Sequence, residues 1–214
     1  MQRHAIPDIE LRAKLAERGL ECHLLLRDVG ETRTDFARVL CLELKDLLKA
    51  SFDRQASPAH FEFLTWAVVI CPPSGRPVAC STLSFTQGLP SYFLTGFEAV
   101  HPDQQKTGLG RLLFDCLAAW ARFLVFSDVL VQEGVSFSEG SYFLASHIDD
   151  DPAEEMDEED DCLENAEDNV YGHGAFLRKL GFIRAQHNFG QTKDEIAFQR
   201  EFRIPLAGEP CEEP

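Results

Sequence analysis

Residues 92–120 read YFLTGFEAVHPDQQKTGLGRLLFDCLAAW. The first half alternates aromatic and aliphatic residues as far as Val100. Pro102 has no N–H to give to a ladder, so a strand is expected to end there. Gly108 and Gly110 then open a run with apolar residues at Leu109, Leu112, Leu113, Cys116, Leu117 and Trp120. That spacing is helical. The stretch therefore reads as strand, tight glycine turn, helix. At such a junction the first helical N–H groups lack partners and the positive end of the helix dipole points the same way, so an anion is favoured. Glycines let backbone approach phosphate oxygens with no Cβ between them. A phosphate-bearing ligand is implied.

Two common phosphate turns are excluded by spelling: there is no G-x-x-x-x-G-K-[ST], and no G-x-G-x-x-G follows a strand. What occurs is V-x-P-x-x-Q-x-x-G-x-G, through Val100, Pro102, Gln105, Gly108 and Gly110. It resembles the coenzyme A signature, [R/Q]-x-x-G-x-[G/A], of the GNAT superfamily of acyl-CoA N-acyltransferases. The competing reading is an ordinary strand-to-helix turn in another α/β domain. A second stretch, residues 170–182, reads VYGHGAFLRKLGF. Ala175, Phe176, Leu177 and Leu180 give it a helical apolar face, Arg178 and Lys179 complement the C-terminal dipole, and Gly181 is a stop signal. Its ending, AFLRKLGF, resembles the second GNAT hallmark, commonly spelled AxxFYxKxGF. The likeness spans roughly residues 22–204.

The remainder of the chain fits that arrangement. Residues 9–19 carry helix formers and end at Gly19, and residues 22–26 are expected as a first strand. Thr34 or Asp35 can cap a helix with Phe36, Val39, Leu40, Leu44, Leu47 and Leu48 on one face, running to about residue 52. LTWAVVIC at 64–71 and VACSTLSFTQ at 78–87 read as hairpin arms around PPSGRP, with the central strand starting at Tyr92. The helix opened by Gly108 is expected to reach about Phe126. DVLVQ at 128–132 and SYFLASHI at 141–148 each read as a strand, and residues 142–148 are preferred as the fifth because they lie closest to the next recognisable element. Residues 182–189 and 195–202 form a second antiparallel pair. The expected class is α+β, a GNAT-type fold with a central mixed sheet of about seven strands flanked by helices. Residues 1–20 are expected as a helical extension, 21–204 as the domain, and 205–214 as a disordered tail.

The 214 residues carry a formal charge of −16, but thirteen acidic residues and no Lys or Arg lie in 149–168, DDDPAEEMDEEDDCLENAED, leaving about −3 for the rest. That block predicts a mobile, solvated insertion. A near-neutral remainder with no basic stripe argues against a nucleic-acid partner. No apolar run approaches the ~18 residues that a membrane span requires, and the charged N-terminus has no secretory core. A cytoplasmic location is expected, with the nucleus as the alternative. Seven cysteines, an odd number with no CxxC, sit mostly in apolar stretches. They read as core residues in a reducing compartment, not as a zinc or disulfide framework, and no metal site is expected.

The resemblance implies acetyl-CoA as cosubstrate and direct attack by a neutral amine in a ternary complex. The acceptor would be an amine-bearing small molecule or peptide. Cofactor contacts are then assigned to Phe97, Ala99 and Val100 along the strand, and to Gln105, Lys106, Thr107, Gly108, Leu109, Gly110 and Arg111 at the turn. The strand would pair with the pantetheine arm and polarise the thioester. An ammonium acceptor must lose a proton, and Glu98, the acid within the central strand, is the candidate base. Its alternative is a solvent-facing strand glutamate. His101 reads as a turn residue. Where the hallmark has tyrosine as proton donor to the departing thiolate, this chain has Leu177, with His173 and Val170 three and six places before Phe176. Tyr171 is the candidate substitute. This departure keeps open a second function, a catalytically silent acyl-CoA-binding or interaction module presenting the acidic loop.

Overall fold

A computed structural model describes residues 1–28, 30–52, 57–61, 66–73, 75–86, 91–126, 141–149, 173–185 and 195–203. The chain divides into two compact units, one comprising Met1–Phe85 with Thr95–Phe137 and the other Thr86–Leu94 with Ser138–Pro214. The α+β class is as expected, and the described strands number eight, not seven.

The first unit begins with strand β1 (Gln2–Ala5), helix α1 (Ile9–Ala16) and strand β2 (Glu21–Leu26). Residues 1–20 thus hold a strand as well as the expected helix. β1 pairs antiparallel with β2, Gln2 opposite Leu26 and Ala5 opposite His23. Asp8 caps α1 by accepting the Leu11 N–H at 2.9 Å, and Leu11 and Leu15 are buried. The helix stops at Gly19, whose φ of +66° lets Leu20 N–H return to the Leu15 carbonyl at 2.9 Å. The β1 strand was not read from the sequence because QRHA is polar and exposed at all four positions. Only pairing with β2 gives it strand form.

Helix α2 (Arg33–Phe52) follows, then a 3-10 turn (Pro58–Phe61), β3 (Trp66–Cys71), β4 (Ala79–Thr86), the later part of β5 (Ser91–Val100) and helix α3 (Leu109–Phe126). β2 pairs with β3 and β3 with β4, both antiparallel. Phe36, Leu40, Leu44, Leu47 and Leu48 of α2 lie at helical spacing and pack with Phe61 on Leu25, Ala67, Val69, Cys80 and Ala99 of the strands. Each such side chain is worth about 1.5–3 kcal/mol when fully buried. All six residues of β3 are buried, as a continuous apolar strand should be when covered on both faces.

The second unit holds the start of β5, β6 (Ser141–Asp149), helix α4 (His173–Lys179), β7 (Ile183–Arg184) and β8 (Glu195–Arg203). β6 pairs antiparallel with β8 over nine residues, from Ser141 opposite Arg203 to Asp149 opposite Glu195. The fifth strand expected at 142–148 is therefore β6. β7 pairs with β8, and its described length is two residues, where an arm over 182–189 was expected. Tyr92, Phe143, Ala145 and Ala197 form one buried cluster. α4 ends at Gly181, φ +83°, and Leu177 is fully buried. The acidic segment beyond Asp149, Tyr171 and the tail at 205–214 lie outside the described residues. Among the described residues, no helix is long and apolar enough to cross a membrane.

Candidate functional site

The site is built by the end of β5 and the start of α3, both in the first unit. β5 does not keep its pleat. Phe97 has φ +52°, a conformation in which a bulky side chain is a genuine outlier. The neighbouring peptide is held from β4: Thr82 Oγ1 donates to the Gly96 carbonyl at 2.7 Å, and Ser81 Oγ lies 3.3 Å from the same oxygen. A Cβ on Gly96 would stand 3.1 Å from Thr82 Oγ1, so any side chain there would push the threonine back by a few tenths of an ångström. The phenyl ring of Phe97 sits 5.2 Å from that of Phe61, tilted by 39°, and remains 36% exposed.

The break changes which side chains meet. Three residues apart on a regular strand, Thr95 and Glu98 would point to opposite faces. Here the Thr95 hydroxyl donates to a Glu98 carboxylate oxygen. Thr95 is buried and Glu98 half-buried, so the carboxylate is oriented from below by a fixed donor.

Cys80 Sγ, 3.6 Å from the Phe97 carbonyl, is the thiol beside this break. Complete burial, reinforced by the charge of Glu98, pushes it up to about 12. A thiol that keeps its proton at neutral pH is a poor nucleophile.

Beyond the break, Ala99 is buried in the α2-facing core. The Val100 carbonyl accepts from Ser51 Oγ and from Gln105 Nε2, each at 3.3 Å. His101 N–H bonds the Val78 carbonyl at 2.8 Å, while its Nδ1 accepts the Asp103 N–H at 3.3 Å, capping the 3-10 turn Pro102–Gln104. Gln105, Lys106, Thr107 and Gly108 are exposed. Lys106 at φ +60° and Gly108 at φ +85° are left-handed, and Gln105 before them is extended, with φ −66° and ψ 151°. Thr107 Oγ1 closes the turn on the Gln104 carbonyl at 2.7 Å. Leu109 buries its side chain, Gly110 is half-buried and Arg111 is exposed.

Main-chain hydrogen bonding resumes at Leu112 N–H, which reaches the Gly108 carbonyl at 3.2 Å. Among the described residues, the amides of Lys106, Thr107, Gly108, Leu109, Gly110 and Arg111 have no main-chain acceptor. They form a run of donors at the positive end of an 18-residue helix, the first three residues of the run exposed. One participant was invisible in the sequence. Arg18, 89 positions earlier, places Nη2 3.1 Å from the Thr107 carbonyl, and it lines an open cleft of about 430 Å³ with Gly19, Leu20, Pro72, Val78, Gln104 and Thr107.

Of the residues anticipated for this site, Phe97, Glu98, Ala99, Val100 and 105–111 are consecutive parts of one strand, turn and helix start. Tyr171 lies outside the described residues, and Leu177 is core. Among the described residues no cluster of three or more His, Cys, Asp or Glu could hold a metal ion.

No family model and no curated protein matches the chain. Among solved structures it is similar to the ribosomal-protein-S18-alanine N-acetyltransferase from Escherichia coli, at 19% identity over 88% of this chain and 97% of that one, with a TM-score of 0.43. It is also similar to an aminoglycoside 6'-N-acetyltransferase complexed with coenzyme A, at 16% identity over 86% and 98% of the two chains, TM-score 0.45. A third is a GNAT family N-acetyltransferase from Escherichia coli in complex with CoA, at 15% identity over 75% and 76%, TM-score 0.41.

Proposed function

We propose that this chain is an N-acetyltransferase of the GNAT superfamily, transferring an acetyl group from acetyl-CoA to a primary amine by direct attack in a ternary complex. The observation that carries the reading is the row of six amides, Lys106 to Arg111, without main-chain acceptors, inside a stretch that spells the coenzyme A signature. Left-handed Lys106 and Gly108 turn the backbone within that row, and the row lies at the positive end of α3, where a diphosphate is favoured. The residues present thus fit the cosubstrate.

When bound, acetyl-CoA supplies the activated thioester carbonyl. The amides of the turn hold the diphosphate, and the side chains of Lys106 and Arg111 add positive charge at its rim. The main chain of Phe97, Ala99 and Val100 runs beside the pantetheine arm. Glu98, oriented by Thr95, takes the proton that the ammonium must lose before its nitrogen can attack, directly or through one water. The nitrogen adds to the thioester carbonyl, the C–S bond breaks, the proton that the acylated nitrogen sheds passes to water, and the departing sulfur takes a proton from Tyr171 or from water. The raised Cys80 thiol disfavours an acyl-cysteine route, which agrees with direct attack.

A second reading has a specific observation behind it. The place of the hallmark tyrosine is taken by Leu177, fully buried, so the usual proton donor is missing. A silent acyl-CoA-binding module presenting the acidic segment would have this feature. Calorimetry with coenzyme A, followed by thiol release from acetyl-CoA with a panel of amines, separates the two. Binding with turnover supports the transferase, and binding without turnover on any amine supports the silent module. An absence of coenzyme A binding overturns both.

A further inference from the structure

We infer that Arg18 is a diphosphate-binding residue of the same site, brought to it by the β1 and α1 segment that precedes β2. The inference rests on the acyl-CoA reading above, and it adds a residue outside every stretch that spells the motif. Glycine-ended α1 delivers Arg18 to the turn. Its Nη2 donates to the Thr107 carbonyl at 3.1 Å and lies 3.5 Å from the position a Cβ on Gly108 would take. The guanidinium therefore lies against the exposed glycine of the amide run.

Four of its five N–H groups remain for another acceptor, since among the described residues Arg18 makes one hydrogen bond and no ion pair with a carboxylate. A planar fork with one prong tied to main chain is preorganised to receive phosphate oxygens on the others. Arg18 adds to the charge that Lys106 and Arg111 bring to the rim of the turn. Gln105 is neutral and spends its side-chain amide on the Val100 carbonyl. Thr107, whose carbonyl Arg18 holds, contributes its own N–H to the amide run, so the arginine both fixes the run and adds charge to it. A 3'-phosphate on the ribose of the carrier is the other anion within this chemistry, and dephospho-CoA, which lacks it, tells the two apart.

The test is calorimetry on the full chain with coenzyme A, dephospho-CoA and inorganic pyrophosphate, comparing wild type with Arg18→Gln and Arg18→Lys. Glutamine retains a donor for the Thr107 carbonyl and removes the charge, so a thermal midpoint close to wild type shows that the turn is still anchored. The expected result is a loss of about tenfold in affinity for all three ligands in Arg18→Gln, a flatter dependence on ionic strength, and an intermediate loss in Arg18→Lys. Unchanged affinities in Arg18→Gln overturn the inference, as does a loss confined to coenzyme A, which moves the contact to the 3'-phosphate. If wild type binds pyrophosphate through Arg18 but neither carrier, the acyl-CoA reading falls and the anion site stands. If wild type binds none of the three, both fall.

Discussion

The Thr95 hydroxyl donates to the Glu98 carboxylate across a spacing that a regular strand would split between its two faces. The positive φ of Phe97 makes the contact, and Thr82, holding the Gly96 carbonyl at 2.7 Å, keeps the backbone there. Backbone strain of this kind costs about 1–3 kcal/mol and persists only where its surroundings over-determine it. At this position it aims the carboxylate proposed to accept the substrate proton.

Replacing that carboxylate is the direct check. Glu98→Gln is expected to lower kcat by about 10²- to 10⁴-fold, the range for a positioned general base. Thr95→Val, which leaves the carboxylate and removes its donor, should cost about tenfold. Steady-state rates across pH are the measurement. A Glu98→Gln enzyme with the wild-type pH–rate profile removes Glu98 from the mechanism.

Gly108 bears on cofactor affinity through its backbone. An added Cβ would meet Arg18 Nη2 at 3.5 Å, an ordinary contact, so the penalty comes from φ +85° and not from a clash. Gly108→Ala should destabilise by about 1 kcal/mol. Gly108→Leu should in addition obstruct the approach of phosphate and weaken coenzyme A binding by more than about tenfold. Urea unfolding and calorimetry read the two effects separately, and wild-type affinity in the leucine variant would count against the amide cradle.

Gly96 is constrained by space. Its substitution by alanine places a methyl group 3.1 Å from Thr82 Oγ1, the same oxygen that donates to the Gly96 carbonyl. A loss of about 1–3 kcal/mol is expected for Gly96→Ala. Because the two positions share one contact, Gly96→Ala and Thr82→Ala should be non-additive in a double-mutant cycle. Strict additivity would show that the close approach does not exist.

The buried thiols set an alkaline limit on stability. Burial pushes Cys80 up to about 12 from an ordinary 9.0, and Cys116 is raised by its hydrogen bond with Cys22 and by burial. A pKa raised on folding means that the native state holds a proton the unfolded chain releases above 9. Their contribution is complete below that pH and is lost as pH climbs toward the folded values, by about 1.4 kcal/mol per unit for each thiol. Denaturation midpoints should therefore fall between pH 9 and 12. Native Cys80 should also resist alkylation at neutral pH until denaturant is added, and rapid labelling of the folded chain would refute its burial.

Much of this protein was decided by local patterning. The alternation before Val100, the proline that ends the strand, the two glycines of the turn and the helical spacing after them are all local signals. They place β5, the turn and α3 with the observed boundaries to within a residue. The same logic located α2, because apolar periodicity over many residues leaves few alternatives, whereas β6 has a rival in DVLVQ and is separated from it in the sequence only by lying closer to the next element. What the sequence left open depends on partners far away along the chain. QRHA becomes β1 only by pairing with β2. The pleat break at Phe97 lies beside the Gly96 carbonyl that Thr82 holds from β4, and the meeting of Thr95 with Glu98 could not be read from their spacing. Arg18 reaches Thr107 across 89 positions, through the way α1 ends at Gly19. Short-range preferences write the elements; the orientation of a carboxylate and the delivery of a cation are set by contacts whose partners are adjacent in space alone.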